Sequence, residues 1–321
     1  MGACPLPFAL PTPMVRILAL AMTSSPSPAS PSPAISEPWT VRRVLTWVTE
    51  DFATRGLETP RLEAELLLSH VLGCNRIQLI IDRDRPLENQ ELSAYRALVS
   101  RRRNHEPIAY LRGEREFYGH VFEVDARVLI PRPDTETLVE VALDRTRDRH
   151  MFGRMVDVCT GSGNVAISFA KERSTWQVRG TDVSPEAIKV ASRNAVRLGV
   201  AWNTAFSTGD LLAPVRQMGP LDLVTANPPY IPSAEVDQLP ADIRNHEPRL
   251  ALDGGADGLD LVRRLIAEAA ACLGADGVLA MEIACDQGPR VVEQMQHAGW
   301  TDVRVAQDLG KRDRVVSGIR P

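Results

Sequence analysis

Asn227-Pro228-Pro229-Tyr230 is the stretch of this sequence with the most narrowly placed chemistry. It follows an apolar, β-prone run from Leu221 to Ala226, and two prolines end that run. Proline removes a backbone N–H, fixes φ and pushes the preceding residue out of the helical region. Asn227 is therefore expected at the carboxyl end of a strand with its amide held forward on a stiff turn. In open α/β sheets that edge is where ligands bind. A second cluster, Asp157-Val-Cys159-Thr160-Gly161-Ser162-Gly163-Asn164, is a glycine-rich turn between a strand and a helix. Glycines there let the backbone approach a ligand, and the helix N-terminus offers free N–H groups. Asp182 ends the next strand roughly 20 residues on, where a carboxylate can take both hydroxyls of a ribose. Asp210, followed by Leu211, ends the strand after that and can meet an adenine ring. As local structure alone, Asp182 would cap a helix and Asp210 would start a turn; the pairing of Asp182 with the glycine loop favours a ligand.

Gly161, Gly163 and Ala166 also match the dinucleotide fingerprint. Two features point instead to S-adenosylmethionine. A full helical segment precedes the strand, and Asp157 stands just ahead of the glycines, where it can hold the amino-acid end of that cofactor.

The elements that must position these residues sit in a chain of 321 residues, enough for one large domain and a smaller one. Hydrophobic residues make up 44% and charged ones 24%, as in ordinary soluble globular proteins. The formal net charge of −4 provides no global basic field, which disfavours an enzyme acting on DNA. The five cysteines (Cys4, Cys74, Cys159, Cys272, Cys285) are scattered with no CxxC pair. Neither disulfides nor zinc is expected, and a cytoplasmic location is the default. Residues 1–37 form a first segment: Ser24 to Pro38 alternates Ser, Pro and Ala and is expected to be disordered. Val15 to Met22 is apolar but too short to span a membrane; a loose tail or an early start codon is preferred over a targeting peptide.

Residues 38–113 read as a small helical bundle that recognises a partner. Val41, Val44, Leu45, Val48 and Phe52 repeat at helical spacing, with Thr40 placed to cap and Gly56 to stop. Pro60 opens a second helix with Leu62, Ala64, Leu66, Leu67 and Val71 as its face, and Leu87 to Arg103 has room for a third or for a third and a fourth. Arg101-Arg102-Arg103 could touch an acidic partner, but such a run reads first as a solvated face. Residues 114–140 form a linker in which Phe117 to Val124 alternates around Gly119 as a β-hairpin. Ile130-Pro131-Arg132-Pro133-Asp134-Thr135-Glu136 follows, with Thr135 or Asp134 capping a helix; it reads equally as a stiff connection or as the closure of a site mouth. Residues 141–321 alternate strands and helices as a doubly wound sheet requires. The last two strands, Asp302 to Ala306 and Arg314 to Ile319, lie too close for a helix between them and are expected as an antiparallel hairpin at one edge of an otherwise parallel, Rossmann-like sheet.

From Trp39 onward the sequence resembles the protein-glutamine N5-methyltransferases of peptide-chain release factors, the HemK/PrmC family. The resemblance rests on Glu106-Pro-Ile-Ala-Tyr-Leu-Arg-Gly113, Arg115-Glu-Phe-Tyr-Gly119, Leu129-Ile-Pro-Arg-Pro-Asp-Thr-Glu136, the glycine turn, Asn227-Pro-Pro-Tyr-Ile231, His246-Glu247-Pro248-Arg-Leu-Ala251-Leu252 and Asp308-Leu-Gly310 to Arg314. The tetrad alone is shared with adenine-N6 methyltransferases. Enzymes that methylate a glutamine of a ribosomal protein share much of the pattern but lack the Arg-Pro-Asp-Thr-Glu stretch. His246, Ala284, Cys159 and Ser162 depart from the family pattern.

The resemblance implies an S-adenosylmethionine-dependent methyltransferase whose protein partner is a release factor, modified at the glutamine of its Gly-Gly-Gln motif. A monomer is expected, with no direct nucleic-acid contact on the ground of charge and no membrane for want of a spanning segment. The cofactor is expected at Asp157, Cys159, Thr160, Gly161, Ser162, Gly163, Asp182, Asp210, Leu211 and Asn227. The substrate is expected at the tetrad and at Arg132, Glu136 and Phe117. A glutamine amide nitrogen is a poor nucleophile because its lone pair is delocalised. The Asn227 side-chain oxygen and the Pro228 carbonyl can each accept one of its N–H groups, with Tyr230 stacked on the amide plane. No strong general base is visible, and none is needed, since an alkylated amide sheds its proton readily.

Overall fold

The protein is described here as a computed structural model, covering residues 38–321. The tail expected over residues 1–37 lies outside the described residues. Among the described residues, five helices come first: α1 (Val41–Thr54), α2 (Pro60–Leu72), α3 (Arg76–Ile81), α4 (Asn89–Arg103) and α5 (Ile108–Arg112). Thr40 caps α1 through its side chain, accepting the Arg43 N–H at 3.3 Å. The five apolar residues expected on α1 are all buried, against Ala64, Leu67, Leu68, Tyr95 and Val99. The face of α2 is rotated from the expected one: Leu62 is exposed and Leu68 buried. The cause is polar. Glu63 is buried on this helix and accepts from Nε and Nη2 of the buried Arg102 guanidinium, at 2.7 and 3.2 Å. The arginine run is therefore not a free solvated face. Arg101 pairs with Glu106, Arg102 with Glu63, and Arg103 with Asp51 while lying over the Trp47 ring.

A hairpin follows, β1 (Glu114–Phe117) and β2 (His120–Glu123), turning at Tyr118-Gly119 as expected. Next comes α6 (Glu136–Arg145), and then the sheet: β3 (Arg154–Val158), β4 (Gln177–Asp182), β5 (Thr204–Thr208), β6 (Leu221–Ala226), β7 (Leu273–Glu282), β8 (Thr301–Gln307) and β9 (Asp313–Ile319). Its seven strands run in the order β5-β4-β3-β6-β7-β9-β8. The first five are parallel; β9 is antiparallel to both β7 and β8, so the hairpin stands at one edge as the short connection requires. Helices α7 (Asn164–Glu172), α8 (Pro185–Arg197), α9 (Ser233–Val236), α10 (Ala241–His246), α11 (Asp260–Cys272) and α12 (Gly288–His297) connect the strands.

Strand periodicity divides the core in two. Val156, Val224, Leu279 and Met281 pack on one face with Val262 and Leu265 of α11 and Val291 of α12. Met155, Leu223, Val278 and Ala280 pack on the other with Leu138 and Val139 of α6 and Ile167 and Phe169 of α7. The boundary expected at 140 thus falls inside α6, which belongs to the sheet's helical layer. A third cluster joins α5 to the sheet side: Ala109 and Tyr110 pack on Val124, Val128 and Ile130, and the Tyr110 hydroxyl donates to the Val128 carbonyl at 2.6 Å. The chain order reverses between β3 and β6, adjacent in the sheet, and such a switch point opens a crevice at the strands' carboxyl ends.

Candidate active site

The glycine turn leaves β3 and the Asn-Pro-Pro-Tyr turn leaves β6, so both meet at that crevice. Between them lies a cavity lined from the sequence-expected set by Asp157, Cys159, Thr160, Gly161, Ser162, Asp182, Asp210, Leu211, Asn227, Pro229 and Arg132. Cys159 and Leu211 stand at φ 57° and 44°, a left-handed backbone unusual for residues with a side chain. Such conformations concentrate where a loop is shaped for a ligand.

Asp182 accepts the Gly161 N–H at 3.0 Å on Oδ2 and the Ser184 N–H at 2.9 Å on Oδ1. Each oxygen keeps a lone pair for a ligand, and burial pushes the carboxyl above its ordinary range. Asp157 is held in place by the fold: its two oxygens accept the Thr160 and Thr225 hydroxyls, each at 2.7 Å. Burial, against those hydrogen bonds, pushes it up to about 6. Asp210 is exposed at the rim and pairs with Arg264 at 2.6 Å. Apolar walls from Val183, Leu211 and Leu261 complete the space.

The stretch before α6 forms a wall of the same cavity, with Pro131, Arg132 and Thr135 lining it. Glu247, buried, fixes this stretch by accepting the Ile130 N–H at 3.2 Å and Arg132 Nη2 at 2.5 Å. Thr135 does not cap α6. Its oxygen instead accepts Asn227 Nδ2 at 3.2 Å, which turns the Asn227 side-chain oxygen away from Thr135.

Five expected site residues do not line the cavity. Gly163 begins α7 at φ 80°, where an added Cβ would meet Ile167 and Ala191, so it serves helix packing. Phe117 is buried in the core edge-on to Phe122, because its side of the short hairpin faces the α6–α7 layer. Glu136 accepts the Tyr118 N–H at 2.9 Å and holds the hairpin turn. Pro228 is buried in the turn, and Tyr230 points its hydroxyl into the interior, 3.3 Å from Glu282.

Sequence reasoning missed Thr135 as a partner of Asn227, and with it Glu282, Gln287, Gly254 and Gly258. Gln287 Nε2 donates to the Tyr230 carbonyl at 3.0 Å. A Cβ on Gly254 or Gly258 would lie 2.6 Å from the Pro229 carbonyl or 2.2 Å from the Tyr230 carbonyl, so glycine alone lets that loop clamp the tetrad. The glycine spacing in Asp253-Gly-Gly-Ala-Asp-Gly258 was the available signal.

Comparison with known proteins follows the same division. Residues 43–113 match the family model for the PrmC N-terminal domain, and residues 134–243 match the methyltransferase small domain. The hMettl16 catalytic domain, at 13% identity, superposes with a TM-score of 0.51 over 70% of this chain and 91% of its own, a likeness of fold alone. The release factor glutamine methyltransferase of Chlorobaculum tepidum is 41% identical over 286 residues, 87% of this chain and 97% of that one. That of Geobacter sulfurreducens is 43% identical over 282 residues, covering 88% of this chain and 97% of its own. At such identity over nearly the full length of its relatives, the chain belongs to the release factor glutamine methyltransferase family.

Proposed function

We propose that this protein transfers a methyl group from S-adenosylmethionine to the side-chain amide nitrogen of a glutamine in peptide-chain release factors. The observation that carries the reading is the Asn227 amide, held at the switch-point cavity with its nitrogen on Thr135 and its oxygen free to accept an N–H. The cavity fits the cofactor by chemistry: a carboxylate with spare lone pairs at the end of β4, a glycine-rich turn after β3, and apolar walls beside Asp210. Asp182 would hold the ribose hydroxyls, Leu211 and Asp210 the adenine, and Gly161 with Ser162 the amino-acid end. When bound, S-adenosylmethionine supplies an electrophilic sulfonium methyl.

The chain's own part is alignment. Asn227 Oδ1 accepts one N–H of the substrate amide, so that the nitrogen is turned toward the methyl. Fixing reactants in this way can supply about 7 kcal/mol or more of a barrier. That hydrogen bond strengthens as the nitrogen loses its conjugation, so it lowers the barrier more than it tightens binding. Tyr230, turned inward on Glu282, stiffens the turn. The helical region over residues 38–113 is proposed to choose the protein substrate, and the enzyme to act as a cytoplasmic monomer without direct nucleic-acid contact.

The test is methyl incorporation from labelled cofactor into three acceptors: a release factor, a ribosomal protein mixture and duplex DNA. Label should enter the release factor alone and disappear when the glutamine of its Gly-Gly-Gln motif is replaced. Label in DNA, or in a release factor lacking that glutamine, would refute the assignment.

A further inference from the structure

The cavity wall from Pro131 to Thr135 is clasped by two loops, each through ionic contacts. The loop after α10 holds it at Arg132, whose guanidinium lies 2.5 Å from the buried Glu247. The β8–β9 turn holds it at Asp134, which pairs with Arg314 at 3.1 Å and with Arg312 at 3.3 Å. That turn is itself closed. The buried Asp308 accepts the Arg312 N–H at 3.1 Å and pairs with Arg314 at 3.1 Å. Its own N–H donates to the Arg312 carbonyl at 2.9 Å. Each loop carries a leucine turned to solvent close to its clasp. Leu250, three residues beyond Glu247, lines the cavity and is 59% exposed. Leu309, next to Asp308, is fully exposed. A single exposed leucine is ordinary on a soluble protein. Two of them, on loops fixed to one wall of the same cavity, are placed to meet what enters it.

We infer that Leu250 and Leu309 form an apolar rim on which the substrate protein seats the chain flanking its methylated glutamine. This inference rests on the reading of Asn227 as the group that receives the substrate amide. A glutamine side chain reaches only about 5 Å beyond its Cα. Its nitrogen meets Asn227 Oδ1 only if the substrate backbone comes down to the margin of the cavity. Thr135, at the end of the clasped wall, accepts Asn227 Nδ2 at 3.2 Å, so the wall that both loops hold borders the reacting amide. The occupant is therefore a polypeptide, and the residues beside its glutamine are the part that the two leucines meet. Methyl and methylene groups of that chain cover apolar surface that the free enzyme leaves in water. Arg132 and Asp134 do not compete as anchors, since each already has an ionic partner within the enzyme. Because the clasps fix both loops before the substrate arrives, little freedom is lost when it seats. The rim thus contributes to association and not to the methyl-transfer step.

The test is the calorimetric affinity of the full chain, saturated with S-adenosylhomocysteine, for an intact release factor. Leu309→Ser should weaken it at least about tenfold, since burying a leucine is worth more than that factor. The melting temperature and S-adenosylhomocysteine affinity of this variant should match wild type, because the side chain lies wholly in solvent. Leu250→Ser should weaken release-factor binding by a similar factor, and Leu309→Met and Leu250→Met should restore it. In steady state the loss should appear as a raised KM for the release factor with kcat near wild type. Val196→Ser, at an exposed position where α8 returns to the opposite edge of the sheet, should change neither value. Equal release-factor affinity in wild type, Leu309→Ser and Leu250→Ser overturns the rim and leaves the glutamine reading standing. So does a loss confined to kcat or to S-adenosylhomocysteine affinity. If the wild-type protein neither binds nor methylates a release factor, the substrate reading falls and the rim falls with it.

Discussion

Asn227 carries the heaviest demand made on a single side chain here, since its oxygen must face the cavity while its nitrogen is tied to Thr135. Asn227→Asp keeps the size and one acceptor but loses the donor to Thr135 and adds charge to a partly dry site. A position used only as a turn tolerates that exchange. Losing an aligned transition-state contact typically costs about 10²–10³ in rate, and a fall of that order is expected in single-turnover methylation. The melting temperature and S-adenosylhomocysteine affinity should stay near wild type, and a folded mutant turning over at the normal rate would refute the role. Asp182→Ala should weaken S-adenosylhomocysteine at least about tenfold in calorimetry, because each hydrogen bond to a charged group is worth about 1.5–3 kcal/mol. Unchanged affinity would move the ribose site elsewhere. At this scale the sequence revealed the tetrad, the glycine turn and Asp182, because each is a local pattern at the end of a strand. It concealed Thr135, whose partner lies 92 residues away and whose place before a helix made it read as a cap. Phe117 misled for a related reason: alternation in a short hairpin does not say which side meets the core.

Among the elements, the helical region tests whether cofactor binding and substrate choice are separable. Glu63 and Arg102 are both buried and meet in a two-donor pair. Arg102→Ala leaves Glu63 charged and unpaired in the interior, which typically costs about 3–5 kcal/mol. Denaturant titration should register a loss of that size, with S-adenosylhomocysteine affinity unchanged and methylation of an intact release factor reduced. A matching loss of cofactor affinity would contradict the separation. The sheet elements were largely legible, because alternating strand and helix patterns leave little topological freedom. The short helices α3 and α5 were not, since at 6 and 5 residues they are too brief for periodicity to declare itself. The rotated face of α2 was also hidden, because a buried carboxylate looks like a surface residue until its arginine is found.

At the scale of the molecule, three carboxyls held above their ordinary range by burial, those of Asp157, Asp182 and Glu282, give stability a definite pH dependence. Glu282 moves from 4.5 to about 7 and Asp157 from 3.8 to about 6, each with burial as the largest cause. A raised folded-state value means that the native protein binds more protons than the unfolded one in that window. Stability from this source is full below the unfolded value and is lost as pH rises through the folded one. For Glu282 the loss amounts to about 3 kcal/mol between pH 4.5 and about 7. Wild type should therefore lose stability relative to Glu282→Gln across that interval in denaturant titrations; parallel curves would mean an ordinary carboxyl. Among the described residues no helix is long and apolar enough to cross a membrane. The central claim is transfer to a glutamine side chain, and fragment mass spectrometry of a release factor incubated with the enzyme and S-adenosylmethionine tests it most directly. One methyl on the side-chain amide of the Gly-Gly-Gln glutamine, absent with Asn227→Asp, is the predicted result; an unmodified glutamine beside an active, cofactor-bound enzyme would contradict it.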